Sequence, residues 1–176
     1  MDIKSNESKL LKLIEATQKD PQLELEVLVK SNIGHKLTRE TFDNVIKKIK
    51  GIPGIKLQSN SEVLDIFIMD SEQKNMRYSI NGSRAIAMYC KSNNLSTLSA
   101  GSYSLISKKN RDREIISDYN LTVNLKREQN IKVDLKLLND WNSYKKTFRY
   151  KKRFSFITSD KLFSFDLTVI KTSNKV

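Results

Sequence analysis

The segment TFRYKKRFSF, residues 147–156, carries a cation at every second position: Arg149, Lys151 and Arg153. Alternate side chains of a β-strand point to opposite faces, so these three cations are predicted to share one face. Like charges that are brought together away from water repel one another and lose hydration. The row is therefore expected to face a polyanion, although a nucleic-acid groove or a charged edge strand would also fit the pattern.

A second candidate pair lies near the start of the chain. QLELEVLVK, residues 22–30, alternates strictly and places Glu24 and Glu26 on one face, about 7 Å apart. Taken alone, such a pair is typical of a solvated face. Together with the cation row it predicts a triphosphate site, because a divalent cation binds carboxylate oxygens and takes further ligands from phosphate.

Further polar side chains alternate on other predicted strands. Arg77 lies in 76–80, Lys126 in 119–128 and Asp166 in 162–171. We predict that these polar faces line one enclosure, with helices covering its outside. Acids and cations would then surround a chain of phosphates.

The elements that would position these residues follow from periodicity. Helices are predicted over 6–19, 38–51 and 81–91, with Thr38 and Ser83 as N-terminal caps. Strands and the remaining segments are predicted as follows: strands 22–30, 62–69, 76–80, 102–109, 119–128, 147–156 and 162–171, a charged turn at NRDRE (110–114), a turn at TSDK (158–161), and a short helix or loop at 133–144. The pattern indicates an α+β fold with about seven mainly antiparallel strands.

Charge is distributed unevenly along the 176 residues. The formal net charge is +12; residues 1–70 net to zero, whereas residues 145–176 hold nine basic and two acidic residues. This asymmetry favours a polyanionic partner such as nucleic acid, polyphosphate or a membrane surface.

Several classes of site are excluded by the sequence. One cysteine rules out an internal disulfide and is compatible with a reducing, intracellular compartment. A single histidine argues against a zinc site, and the glycine-rich nucleotide loops and the serine-hydrolase motif are missing. No apolar run approaches the roughly 20 residues of a membrane span, and no signal peptide is apparent.

Three motifs in this order resemble the triphosphate tunnel metalloenzymes: ELE at 24–26, RYKKR at 149–153 and FDLT at 165–168. The resemblance covers about residues 22–171 and is strongest to the RNA 5′-triphosphatases of viral and fungal mRNA capping. It implies an antiparallel β-barrel, the triphosphate tunnel, with flanking helices. The whole chain would be one tunnel domain, with a helix in 1–21, tunnel strands and packing helices in 22–171, and a tail in 172–176.

The resemblance also implies roles for individual residues. Glu24 and Glu26 would bind Mg²⁺ or Mn²⁺, and Asp166 would orient the attacking water. The cations that it implies for the triphosphate are Arg149, Lys151 and Arg153 as the clamp, with Arg77, Lys109 and Lys126 as further phosphate ligands. Alternation does not decide between Lys108 and Lys109, and both could lie in a loop.

The sequence departs from the family in one respect. The family has a second glutamate-rich strand after the DLT strand, and no such strand follows here. The chain is therefore expected to lack its final strand or strands, or to be completed by another chain. Activity is expected of the parent protein rather than of these 176 residues alone.

The function that the resemblance implies is a phosphoric anhydride hydrolase acting on 5′-triphosphate RNA. It would be fused or bound to guanylyltransferase and methyltransferase domains, in the host cytoplasm or the virion if viral, and not in a membrane. Two alternatives remain open: a tripolyphosphatase or nucleoside triphosphatase of the same superfamily, and a non-catalytic basic RNA-binding β-domain.

Overall fold

The computed structural model describes residues 3–29, 38–69, 76–116, 121–132 and 138–173. Their main elements, in chain order, are α1 (Ile3–Lys19), β1 (Leu23–Val29), α2 (Arg39–Lys50), β2 (Ile55–Ile68), β3 (Met76–Asn81), α3 (Ser83–Ser92), β4 (Tyr103–Ile116), β5 (Leu121–Ile131), β6 (Lys146–Thr158) and β7 (Ser164–Ser173), with 3₁₀ turns at Leu95–Thr97 and Trp141–Ser143.

Hydrogen bonding links the strands in the order β1-β5-β4-β3-β2-β6-β7. The pairs β1–β5, β2–β3, β2–β6 and β6–β7 are all antiparallel. The predicted α+β class, an antiparallel sheet with helices, is therefore confirmed. Within the described residues this order has two ends, so backbone hydrogen bonds do not close the strands into a ring.

The described residues form two compact units, each with its own core. Unit 1 falls within Met1–Lys36 and Ile106–Asn130, and its core is built from Leu13, Ile116 and neighbours on β5. Unit 2 falls within Leu37–Leu105 and Ile131–Val176, and its larger core has the following buried members: Leu64, Ile66, Ile68, Tyr78, Ile80, Tyr89, Leu95, Leu98, Leu105 and Trp141. The predicted domain boundaries stay a prediction.

The predicted turn at NRDRE is wrong, because β4 continues through it to Ile116. The strand preference of a residue depends on its packing and burial, so a charged segment can form a strand when its neighbours are buried. Here the strand leads to Ile116, which is 7% exposed in the core of unit 1. Burial of that side chain and sheet pairing outweigh the local preference of the charged segment.

Strand β2 begins at Ile55, seven residues before the predicted start. The added segment is polar, but it pairs with β6 from Ile55 opposite Thr158 onward, with an irregularity between Leu57 and Ser59. A polar edge of a strand shows no clear periodicity in sequence, so its pairing was not predictable locally.

The two helix caps differ from each other. Thr38 caps α2 as predicted, since its hydroxyl accepts a 3.1 Å hydrogen bond from the Thr41 amide. The prediction for Ser83 is wrong: Gly82 holds the cap position of α3 at φ = 87°, a region that favours glycine, and its amide donates to the Glu62 carbonyl at 2.9 Å. No side-chain hydrogen bond caps α3, and the bond from Gly82 to β2 instead fixes where the helix begins.

Candidate phosphate-binding site

The cation row of β6 lies on one face of unit 2. Arg149 stands opposite Asp65 of β2, and Arg153 stands opposite Thr168 of β7. The aromatic residues of β6 alternate to the other side, where Phe154 packs edge-on against Phe42 of α2 with ring centroids 6.3 Å apart. The alternation predicted for this strand is therefore confirmed.

A buried acid organises two of the three cations. Asp65 is 0% exposed, and its Oδ2 accepts hydrogen bonds from Arg149 Nε at 3.0 Å and Arg149 Nη2 at 2.6 Å. Lys151 Nζ approaches the same oxygen at 2.8 Å, while the Ser79 hydroxyl donates to Oδ1 at 2.8 Å. Both carboxylate oxygens of Asp65 thus have hydrogen-bond partners, and Arg149 and Lys151 are held by the same oxygen, Oδ2.

The charges of this cluster shift each other's proton affinity. Burial alone would raise the pKa of Asp65, but hydrogen bonds from Lys151 and Arg149 outweigh it and hold the pKa below its usual value. Burial lowers the pKa of Lys151, although Asp65 partly offsets this effect, and the nearby charges of Arg77 and Arg149 lower it further. The cluster therefore contains one buried negative charge surrounded by several positive ones.

Arg77 belongs to the same neighbourhood. It lies on β3 two residues from Ser79, so the two share a face, and it is half-buried. Its charge acts on Lys151. The structure thus brings Arg77 together with the β6 row.

Arg149 is supported from a second direction by an aromatic ring. The centre of its guanidinium lies 5.0 Å from the ring centroid of Phe67. A cation over an aromatic face is attracted by the ring quadrupole. About a third of the Arg149 side chain (32%) nevertheless remains exposed, so a ligand can reach it while Asp65 holds it.

The third cation of the row has a different environment. Arg153 Nη1 lies 3.0 Å from Asp166 Oδ2, and its Nε donates to Thr168 Oγ1 at 3.4 Å. These side chains are more exposed than those of Asp65 and Lys151, at 42% for Arg153 and 40% for Asp166. The predicted acid on β7 therefore lies beside the cation row and is open to water.

Asp65 was missed by the sequence reasoning. The only local signal is an acid within the apolar run VLDIFI, residues 63–68. An acid at such a position is costly to bury unless cations surround it, and here they come from a strand 84 residues away in sequence. The partners, and so the role, become visible only with the register of β2 and β6.

In unit 1, the acidic pair lies on one face of β1. Glu24 stands opposite Lys126 of β5 and Glu26 stands opposite Asn124. Glu26 forms an ion pair with Lys126, whose side chain is 15% exposed against 32% for that of Glu26. Lys126, predicted as a phosphate ligand, is therefore held by a carboxylate in this structure.

Oxygen donors of this kind fit a hard divalent cation. Glu24 and Glu26 present two carboxylates on one strand face, and Mg²⁺ is commonly held by one or two carboxylates together with water and substrate oxygens. In the described ranges no cluster of three or more acids, histidines and cysteines is suited to a metal. The pair can thus supply part of a metal's coordination shell, with Lys126 competing for Glu26.

The remaining predicted residue lies on β4. Lys109 is exposed and belongs to a regular strand rather than a loop. The side chain of Lys108 lies outside the described ones, so the choice between the two lysines stays a prediction. The convergence of the acidic pair and the cation row on a single hollow also stays a prediction.

Comparisons with known proteins identify the fold. Neither a protein-family model nor a curated protein matches the sequence. A solved structure of the RNA triphosphatase domain of a trifunctional mimivirus mRNA capping enzyme matches with a TM-score of 0.67 and 18% identity, over 98% of this chain and 80% of that one. The chain has the fold of that RNA triphosphatase domain.

Two further structures agree on this RNA triphosphatase fold. A monoclinic structure of the mimivirus capping enzyme triphosphatase matches with a TM-score of 0.67 and 19% identity, over 98% of this chain and 81% of that one. A triclinic structure of the mimivirus capping enzyme triphosphatase matches with a TM-score of 0.66 and 16% identity, over 94% of this chain and 78% of that one. At this identity the likeness establishes the fold alone.

No described helix of this RNA triphosphatase fold combines the length and the apolar composition that crossing a bilayer requires.

Proposed function

We propose that this protein is a metal-dependent RNA 5′-triphosphatase, a phosphoric anhydride hydrolase that removes the γ-phosphate of triphosphate-ended RNA during mRNA capping. The observation that carries the proposal is the cation row of β6, two members of which are pinned to the buried Asp65. It occurs in a chain with the fold of an RNA triphosphatase domain. Preorganised cations of this kind suit phosphoryl transfer, in which catalysis rests mainly on positioning and charge stabilisation.

Arg149, Lys151 and Arg153 are assigned to the triphosphate. Arginine offers a planar fork to phosphate oxygens, whereas lysine acts as a point charge. Because Asp65 already orients Arg149 and Lys151, little reorganisation is needed when charge develops on the phosphate oxygens. Arg77 and Lys109 are assigned to further phosphate contacts.

Asp166 is assigned to the attacking water. Its carboxylate is exposed and lies beside Arg153, so water can reach it without opening the core. A carboxylate so placed accepts a hydrogen bond from water and orients the oxygen toward phosphorus.

Glu24 and Glu26 are assigned to Mg²⁺ or Mn²⁺, with Lys126 modulating Glu26 through their ion pair. The chemistry that a divalent cation supplies to phosphate hydrolysis is neutralisation of oxygen charge and a lower pKa of water.

The proposal also covers the partners of the domain. The matched triphosphatase domain belongs to a trifunctional capping enzyme. By analogy, we assign guanylyltransferase and methyltransferase domains, fused or bound, as partners of this chain. Their presence in the parent gene product would be the direct check.

Phosphate release from three substrates tests the function. With Mg²⁺ or Mn²⁺, the parent protein should release phosphate faster from triphosphate-ended RNA than from tripolyphosphate or ATP. The RNA product should be diphosphate-ended and should not be hydrolysed further. Faster release from tripolyphosphate or ATP would favour the alternative within the same superfamily. No release from any of them, with a folded protein and either metal, would refute the enzymatic proposal.

A non-catalytic RNA-binding domain is less well supported. Such a domain needs aromatic rings beside its cations so that bases can stack. On β6 the rings face the other way: Phe156 is 1% exposed, and Phe154 packs on Phe42. The rings of β6 are therefore packing residues, and Phe67 of β2, which lies beside the row, is engaged by Arg149.

Arg149→Lys is the sharpest variant for this assignment. The substitution keeps the charge but removes the guanidinium fork that Asp65 holds, so kcat should fall on the order of 10²-fold if Arg149 contacts the transition state. Lys47→Arg on exposed α2 is a matched control and should leave kcat unchanged. Wild-type kinetics for Arg149→Lys would count against a bidentate phosphate contact.

A further inference from the structure

A second row of cations lies on β4 in unit 1. Lys109, Arg111 and Arg113 occupy every second position of the strand, and all three are exposed. The sequence reasoning assigned two of them to a turn, so the row becomes visible only because the strand is continuous. Its three charges extend over about 13 Å, since each strand residue advances by about 3.3 Å.

The contacts of β4 with α1 determine which face carries this row. Glu114 pairs with Lys9 of α1 at 3.2 Å, and Ile116 packs in one core cluster with Leu13 of α1. Alternation therefore places Arg111 and Arg113 on the opposite side of the strand, away from α1.

The same side of unit 1 carries the acidic pair. On β5, Val123 and Leu125 belong to the core cluster with Leu13, so Asn124 and Lys126 point away from α1. Glu24 and Glu26 stand opposite these two residues in the β1–β5 register. Because β5 lies between β1 and β4, the acidic pair and the new cation row are separated laterally by about 10 Å.

The new row differs from the cation row of β6, whose three members all pair with acids. In the described part of the chain, no carboxylate pairs with the side chains of Lys109, Arg111 or Arg113. Asp112 accepts only from the Arg113 backbone amide, and Glu114 is engaged by Lys9. Three unneutralised cations in a line are left available to an anion from outside the protein.

We propose that Arg111 and Arg113, continuing from Lys109, bind the phosphodiester backbone of single-stranded RNA. Their spacing of about 7 Å is comparable to that of successive phosphates along an extended strand. The described residues of unit 1 include no aromatic side chain on which a base could stack. The contact proposed is therefore with phosphate, and it should depend strongly on salt.

This inference rests on the proposed function only for the identity of the ligand, and it can be tested without catalysis. Binding of a fluorescent 5′-hydroxyl 20-nucleotide oligouridylate is followed by anisotropy across a salt series. This probe carries no triphosphate and is not a substrate. Phosphate release from triphosphate-ended RNA by the wild-type protein is measured in parallel.

The test variant is Arg111→Gln with Arg113→Gln, and the control is Lys47→Gln with Lys48→Gln on exposed α2. Both double variants remove two positive charges from exposed positions. The test variant should weaken binding on the order of tenfold near 0.1 M salt and reduce the slope of log K against log [salt] by about 1.4, the contribution of two phosphates on a single strand. The control should bind like the wild-type protein.

Equal binding by the test variant and the wild-type protein would overturn the inference, as would an equal loss in both double variants. If binding depends on Arg111 and Arg113 but no phosphate is released from triphosphate-ended RNA, the proposed function falls and the RNA surface stands. If phosphate is released but binding does not depend on the two arginines, the RNA surface falls and the proposed function stands.

Discussion

The cation row of unit 2 and the acidic pair of unit 1 both follow from strand alternation, but they differ in burial. Asp65 at the base of the cation row is 0% exposed and fully hydrogen-bonded, whereas the Glu26 side chain in unit 1 is 32% exposed. A buried charge must be neutralised by its neighbours for the protein to fold, while an exposed one is hydrated by water. We therefore expect the cation row to carry both stability and function, and the acidic pair to carry function alone.

The largest expected effect on stability is that of Asp65→Asn. This nearly isosteric change removes the negative charge shared by Arg149 and Lys151 and leaves two cations without compensation, at a cost of about 3–5 kcal/mol in the free energy of unfolding. Urea denaturation measures it. Asp166→Asn, which removes the same charge from an exposed pair, is the control and should cost about 1 kcal/mol or less. Equal losses in the two variants would contradict the role of burial.

The acidic pair should show the opposite behaviour. In the parent protein, Glu24→Ala and Glu26→Ala should each reduce metal-dependent phosphate release on the order of 10²–10³-fold. Their free energy of unfolding should change less than that of Asp65→Asn, because the Glu26–Lys126 pair is only partly buried whereas Asp65 is fully buried. Near-normal release from both variants would remove these residues from the metal assignment.

The free energy of unfolding should depend on pH in the acid range through Asp65 of unit 2. Its pKa is lowered in the folded protein, so its stabilising contribution is fully present above the unfolded value of about 3.9. The contribution is lost as the pH falls through the lower folded value, with a slope of at most about 1.4 kcal/mol per pH unit for one proton. Urea denaturation between pH 2 and pH 6 measures this slope. Asp65→Asn should flatten it, and an unchanged slope would show that other carboxylates dominate.

The smallest expected effect concerns the pair of Arg153, a member of the cation row, and Asp166 of β7, since both side chains are at least 40% exposed. A double-mutant cycle with Arg153→Gln and Asp166→Asn should give a coupling energy of about 0.2–1 kcal/mol. A coupling of several kcal/mol would mean that membership of the row, rather than burial, decides the strength of the pair.

How much was predictable depends on the range of each interaction. Thr38 caps α2 through a hydrogen bond to Thr41, three residues away, and that signal is local. Gly82, and not Ser83, holds the cap position of α3, and its amide donates to a carbonyl on β2, a contact that no local pattern reveals. Short-range hydrogen bonds are encoded in neighbouring residues, whereas long-range ones require the fold.

The same distinction applies to the candidate site. Alternation alone placed Arg149, Lys151 and Arg153 on one face, because a strand has a period of two wherever it lies. It could not show that Asp65 would hold two of them, or that Arg111 and Arg113 would extend from a strand rather than a turn. Both facts depend on strand pairing and on burial.

The amino-acid sequence by itself determined the two periodicities of this protein, the charge of each strand face and the positions of most helices and strands. Tertiary structure decided which faces meet: it set Asp65 beside Arg149, 84 residues away, and continued β4 to the buried Ile116. The reason is physical, since backbone geometry acts between neighbours in the chain, while the cost of burying a charge depends on what the whole fold places around it.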